Sequence, residues 1–130
     1  MIIKTIHARD EVEEFLAGCE ADLRANGWTE KEVFPIKLAL EEALVNAIRH
    51  GNGDDHQKGV NIEVTLNHKS FHATVSDEGP GFNPDTLPDP LAPENLEQPG
   101  GRGVFLIRHY MTEVSFIPPG NKVKMTKVKE

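Results

Sequence analysis

Two runs of alternating apolar residues flank Asn67-His68-Lys69, and they constrain the fold more than any other feature of this 130-residue chain. Val60, Ile62, Val64 and Leu66 recur every second residue before the polar triplet, and Phe71, Ala73 and Val75 do so after it. A period of two places one set of side chains on one face of an extended strand, and a short polar connection turns two such strands into an antiparallel hairpin. A hairpin with a single apolar face must be covered by something else. The cover lies upstream, where Val12, Phe15, Leu16, Cys19 and Leu23, and then Val33, Ile36, Leu40, Ala43, Leu44 and Ala47, recur at helical spacing.

Local signals set the boundaries. Ile2 to His7 reads as a first strand, and Asp10 followed by Glu13 is a capping-box pattern for the first helix, which Asn26-Gly27 stops. Thr29 with Glu32 repeats the pattern, predicting a second helix from about Glu30 to His50, with Pro35 dividing its first turns from the rest and Gly51-Asn52-Gly53 ending it. Pro84 to Pro99 suits neither a normal helix nor a central strand, and a connection this long is more often a functional lid than idle loop. Val104 to Met111 resumes a short helix. Thr112 to Ile117, the Pro118-Pro119-Gly120-Asn121 turn and Lys122 to Val128 read as a second hairpin. The order predicts one α+β domain over residues 1–130, a two-layer sandwich with helices packed on one face of a mixed, mostly antiparallel sheet.

Composition narrows the function. With 14 Lys and Arg against 21 Asp and Glu, the formal charge is -7, so the surface repels nucleic acid and anionic lipid. The same charge repels a polyanionic nucleotide unless the pocket supplies donors or a divalent cation, so an ATP site here implies Mg²⁺. The lone Cys19 makes no intrachain disulfide, the apolar runs are short, and the N-terminus has no secretion-signal pattern, so a cytoplasmic protein is expected, with no membrane and no nucleic acid as partner. His50 and His56 lack the further ligands a zinc set requires. Lys122, Lys124, Lys127 and Lys129 form a basic face that is either simply solvated or able to dock an acidic partner.

Three segments carry chemistry. In Leu40-Glu41-Glu42-Ala43-Leu44-Val45-Asn46, Glu42 and Asn46 are one turn apart and separated by about 40° around the axis, whereas Glu41 lies about 140° from Asn46 and is expected at solvent. Glu42 is then the candidate proton-accepting or hydroxyl-orienting carboxylate, and the Asn46 amide oxygen can coordinate Mg²⁺ without adding negative charge beside a triphosphate. Asp77-Glu78-Gly79-Pro80-Gly81-Phe82 follows a strand; Gly79 and Gly81 let a flat ring approach the backbone, and an ionised Asp77 can accept a hydrogen bond from an exocyclic amine, a combination that suits adenine. Gly100-Gly101-Arg102-Gly103 precedes the helix starting at Val104, where exposed N–H groups and the helix dipole favour phosphate and Arg102 adds charge. Each segment alone has a plainer reading: an incidental Asn at a helix edge, a turn after an edge strand, a hinge before a helix. No Walker string and no dinucleotide fingerprint is present.

Together the three segments resemble the nucleotide-binding boxes of the ATPase superfamily shared by gyrase, the large heat-shock chaperone, sensor histidine kinases and mismatch-repair proteins. Leu40-Glu41-Glu42-Ala43-Leu44-Val45-Asn46-Ala47-Ile48-Arg49-His50-Gly51 and the compact length look most like the bacterial anti-sigma-factor serine-protein kinases, over roughly Ile36 to Lys127. The resemblance implies a Bergerat-type ATP-binding fold that holds ATP and Mg²⁺ between helices and a lid. It implies Glu42 as general base, Asn46 as the Mg²⁺ ligand, Asp77 as the adenine reader and Gly79 and Gly81 as the glycines beside the base. Gly101, Arg102, Gly103 and Val104 fall at the phosphate box, with Arg102 also offsetting charge during transfer. By the same resemblance the partners are an anti-sigma-factor antagonist, phosphorylated on Ser or Thr, and a sigma factor, with the kinase commonly a homodimer; the alternative is a nucleotide-binding regulatory module that sequesters a protein with little turnover. The phosphate box departs from the commoner Gly-Leu-Gly-Leu wording, and Gly120-Asn121-Lys122 stands where the family often has Gly-Thr, which removes a hydroxyl that could contact phosphate.

Overall fold

A computed structural model of the chain describes residues 1–80, 106–117 and 121–129. The elements in chain order are β1 (Ile2–Ile6), α1 (Asp10–Ala25), α2 (Glu30–Asn46), a π-type turn over Ala47–Gly51, β2 (Val60–Leu66), β3 (Ser70–Ser76), β4 (Glu113–Ile117) and β5 (Lys122–Val128), with residues 106–110 helical. The five strands form one sheet in the order β1-β2-β3-β5-β4, and all four pairings are antiparallel. Both expected hairpins are present. The Asn67 side chain shapes the first by accepting from the N–H groups of Lys69 at 2.8 Å and Ser70 at 2.9 Å.

The alternation of the strands decides which face is buried. Ile6, Val60, Ile62, Val64, Phe71, Ala73, Val75, Val123 and Met125 point into one core shared with the apolar stripes of α1 and α2. Asn61, Glu63, Thr65, His72, Lys122 and Lys124, on the opposite pleat, are exposed. Helices therefore cover one face, and each fully buried Leu, Ile or Phe there contributes about 1.5–3 kcal/mol of transfer free energy. Lys122 and Lys124 lie on the outer face while Lys127 falls on the other pleat and is half-buried, so the basic row is split by the strand's own period.

Helix boundaries depart from expectation in three places. Asp10 is already inside α1 and makes no capping box; the Glu11 carboxylate instead accepts from the N–H groups of His7 at 2.8 Å and Ala8 at 3.2 Å. Pro35 sits inside α2 without dividing it, because the carbonyl it leaves without an intrahelical donor is that of exposed Lys31, near the start of the helix, where water can serve. The regular helix ends at Asn46 rather than His50, and the chain continues in the wider π-type turn. The Thr29–Glu32 capping box forms as expected. At the α1–α2 junction Gly27 adopts φ 87° and closes a Schellman motif, with Gly27 N–H bonded to the Arg24 carbonyl and Trp28 N–H to that of Leu23. Buried Trp28 then donates Nε1–H to the Asn67 carbonyl at 2.8 Å, fastening the helix junction to the β2–β3 turn. Among the described residues no helix is long and apolar enough to cross a membrane.

Candidate functional site

The turn that follows α2 meets the C-terminal end of β3, where Gly51 lies against Asp77 and Gly79. Glu42 and Asn46 are both half-buried on the last turns of α2. Glu41, expected at solvent, is half-buried as well, on a stretch of α2 where Ala39, Leu40, Ala43 and Leu44 are all buried. Beyond Asn46 the turn widens: Asn52 N–H reaches back five residues to the Ala47 carbonyl at 2.9 Å. Such a π-type widening re-aims the chain, and it delivers Gly51 to the end of β3.

Asp77 is the first residue after β3. Its N–H donates to the Asn121 carbonyl at 2.9 Å, extending the pairing of the central strand with β5 by one bond. Its carboxylate turns back, and Oδ1 accepts from Gly79 N–H at 2.7 Å in an Asx-type turn. Among the described residues Oδ2 accepts no hydrogen bond. Burial raises the Asp77 carboxyl above the usual aspartate range, and the Gly79 N–H opposes the rise. A partly desolvated carboxylate with one oxygen held, and the other without a hydrogen bond among the described residues, is a directional acceptor, the chemistry required to read an exocyclic amine.

Two glycines make this arrangement possible. A Cβ on Gly51 would overlap the Asp77 carboxylate, and a Cβ on Gly79 would overlap the Gly51 carbonyl, so the π-type turn and the Asp77 turn pack backbone against backbone. The bare faces of both glycines are taken up by these contacts, so the acceptor chemistry that fits an adenine amine here is that of the Asp77 carboxylate. The Asn46 amide oxygen could hold a divalent ion without adding charge.

The structure thus brings Asp77 and Gly79 against the turn that follows Asn46, with Glu42 one turn earlier on the same helix. The expected Gly81 and the phosphate-box residues Gly101, Arg102, Gly103 and Val104 lie outside the described residues. The sequence marks Gly51 and Asn52 as a helix stop, Gly51 also closing the Leu40–Gly51 motif, and marks Asn121 as a turn residue and a departure from a family pattern; it assigns none of the three to the site. Gly51 instead lies beneath the carboxylate, Asn52 is buried beside it, and Asn121 donates Nδ2–H to the Gly79 carbonyl at 3.3 Å. Nothing in a local window marks these three, because each acts on a residue at least 26 positions away.

The profile of the histidine kinase-like ATPase domain matches residues 7–127. Serine-protein kinase RsbW of Staphylococcus aureus is 31% identical over 109 residues, covering 78% of this chain and 69% of that protein. RsbW of S. aureus strain JH9 is 30% identical over the same length and coverage. With nearly the whole chain matched, and with the two-layer fold and the Asp77–Gly79 turn in place, this protein belongs to the histidine kinase-like ATPase domain family.

Proposed function

We propose that the domain binds Mg·ATP and phosphorylates a Ser or Thr hydroxyl on a small anti-sigma-factor antagonist protein, and that it sequesters a sigma factor as the other arm of a partner switch, acting as a homodimer in the cytoplasm. The observation that carries the reading is the half-buried Asp77 carboxylate, held by Gly79 N–H against the backbone of Gly51. The similarity to serine-protein kinases supports the choice of a protein hydroxyl as acceptor. Bound Mg·ATP supplies the transferable phosphoryl group and a divalent charge. Asp77 and Gly79 hold and orient the adenine, Gly81 lines the same edge, and Asn46 coordinates the ion. Glu42 orients the incoming hydroxyl and takes its proton at the carboxylate. The N–H groups of Gly101, Gly103 and Val104, with the Arg102 guanidinium, offset negative charge at the phosphates.

A second reading is a nucleotide-binding regulatory module that sequesters its partner with little turnover. Asn121 favours it: the family hydroxyl is replaced by a carboxamide whose Nδ2–H is directed to the Gly79 carbonyl. Titration calorimetry with Mg·ATP, followed by incubation of the protein with γ-labelled ATP and candidate antagonist proteins, tests both readings. Label on a Ser or Thr of the partner excludes the pure binder. Heatless titration together with the absence of label rejects the nucleotide site altogether.

A further inference from the structure

We propose that Asn52 is a positioning residue for adenine recognition, a buried carboxamide that fixes the Asp77–Gly79 turn in its base-reading geometry; this rests on the nucleotide-binding reading above. Asn52 is 4% exposed and is the one buried polar or charged residue among those described. Both ends of its amide are used. Oδ1 accepts from Glu78 N–H at 2.8 Å and Nδ2 donates to the Gly59 carbonyl at 3.1 Å. Gly59 N–H in turn donates to the Glu78 carboxylate, closing a ring of three hydrogen bonds around Asn52, Gly59 and Glu78. The Asn52 backbone N–H bonds the Ala47 carbonyl, so the ring is anchored directly to the end of the helix that carries Glu42 and Asn46.

The Asp77 turn is gripped from the opposite side by Asn121, through its carbonyl to Asp77 N–H and its Nδ2–H to the Gly79 carbonyl. With Gly79 N–H held by Asp77 Oδ1, the N–H groups of three successive residues are committed, and Asn52 Oδ1 is the acceptor for the middle one, that of Glu78. A carboxylate that reads a base edge must be held to within a fraction of an ångström, and residues behind it do the holding. Had the connection from α2 to β2 needed only closure, an apolar side chain would have served without the desolvation of a buried amide. The carboxamide instead engages the residue immediately following Asp77, which ties it to the site and not only to the loop.

The test compares the wild-type protein with Asn52→Ala and Asn52→Asp, each first checked for a cooperative thermal transition. Calorimetric titrations use Mg·ATP, Mg·GTP and magnesium tripolyphosphate, and amide hydrogen exchange is read without nucleotide. Asn52→Ala is expected to weaken Mg·ATP by about tenfold, leave tripolyphosphate within about twofold, and narrow the preference for ATP over GTP. The Glu78 and Gly79 amides should exchange faster while those of Ala73 and Val75 keep their protection. Asn52→Asp keeps the size of the side chain and its acceptor for Glu78 N–H but sets a buried carboxylate oxygen against the Gly59 carbonyl in place of the donor, so a loss of ATP affinity is expected here too; it decides the matter if the alanine variant does not fold. A folded variant with wild-type ATP affinity and wild-type Glu78 exchange overturns the proposal, as does a loss shared equally by tripolyphosphate. If the wild-type protein binds no nucleotide, the functional reading fails, and the exchange measurement still reports whether Asn52 fixes the turn.

Discussion

Gly79 packs against the carbonyl of Gly51 so closely that a methyl group on Gly79 would overlap it, and this pairing joins the turn after the helix that carries Glu42 and Asn46 to the residues that follow β3. The two glycines predict different failures. A Cβ on Gly79 meets backbone, which cannot swing aside, so Gly79→Ala should lower the free energy of unfolding by about 1–3 kcal/mol in denaturant titration. A Cβ on Gly51 meets a side chain. Gly51→Ala should therefore displace the Asp77 carboxylate, with a smaller loss of stability and an ATP affinity reduced by about tenfold or more. Equal stability losses with unchanged ATP binding would show that the contact is not part of the site.

Asp77 should trade stability against binding. Its carboxyl is raised by burial, more than the Gly79 N–H lowers it, so folding favours the protonated form. The corresponding contribution to stability is complete below the ordinary aspartate value and is lost as pH rises through the raised one, so above the raised value the nucleotide-free fold carries an ionised group whose desolvation the Gly79 N–H only partly offsets. Asp77→Asn, which keeps an oxygen for Gly79 N–H, should melt at the same or a higher temperature at pH 7 while binding ATP about 10–100-fold more weakly. ATP affinity of the wild-type protein should fall on acidification at a higher pH than an unperturbed aspartate would dictate, because only the ionised form presents two acceptor oxygens. A pH-independent affinity between about pH 7 and pH 4 contradicts the assignment.

Glu42 separates binding from transfer. It stands one helical turn before Asn46 and is half-buried. Glu42→Ala should leave the Mg·ATP dissociation constant within about twofold and reduce phosphoryl transfer to the partner by about 10²–10⁴-fold. A variant that phosphorylates its partner at the original rate removes Glu42 from the reaction.

The sequence is informative about this fold because its two periods are clean. Val60 to Leu66 and Phe71 to Val75 alternate without interruption, and the stripe from Val33 to Ala47 keeps helical spacing, so the two layers and the first hairpin could be read directly, whereas the second rested on its turn residues and a less regular alternation. Thr29 and Glu32 marked a true capping box, yet the same pattern at Asp10 and Glu13 did not form one, since Glu11 was better placed to reach the N–H groups of His7 and Ala8. Asp77 and Gly79 were legible as a pair because their hydrogen bond is local. The partners that hold them, Gly51, Asn52 and Asn121, were not, because they meet the Asp77 turn only after the sheet has assembled. The order β3-β5-β4 sets Asn121 beside Asp77, and a period argument gives no strand order.

Cys19 offers an independent report on the stability of the helical layer. It is buried in the core on α1, and burial, reinforced by the charges of Asp22 and Glu20, pushes its thiol up to about 12. The thiolate is the reactive species, so the folded protein should be nearly inert to thiol reagents at pH 8, although the unfolded chain would react readily. Labelling with an aromatic disulfide should then rise with denaturant along the same transition seen by circular dichroism. The folded value lies above the unfolded one, so the thiol's contribution to stability is complete below the unfolded value of about 8.5 and is lost as pH rises toward the folded one. The loss has a limiting slope of about 1.4 kcal/mol per pH unit. Cys19→Ala should flatten that alkaline decline while lowering stability at pH 7 through the small cavity it leaves. A wild-type protein that labels rapidly at pH 8 without denaturant would show that α1 opens locally, below the free energy of global unfolding.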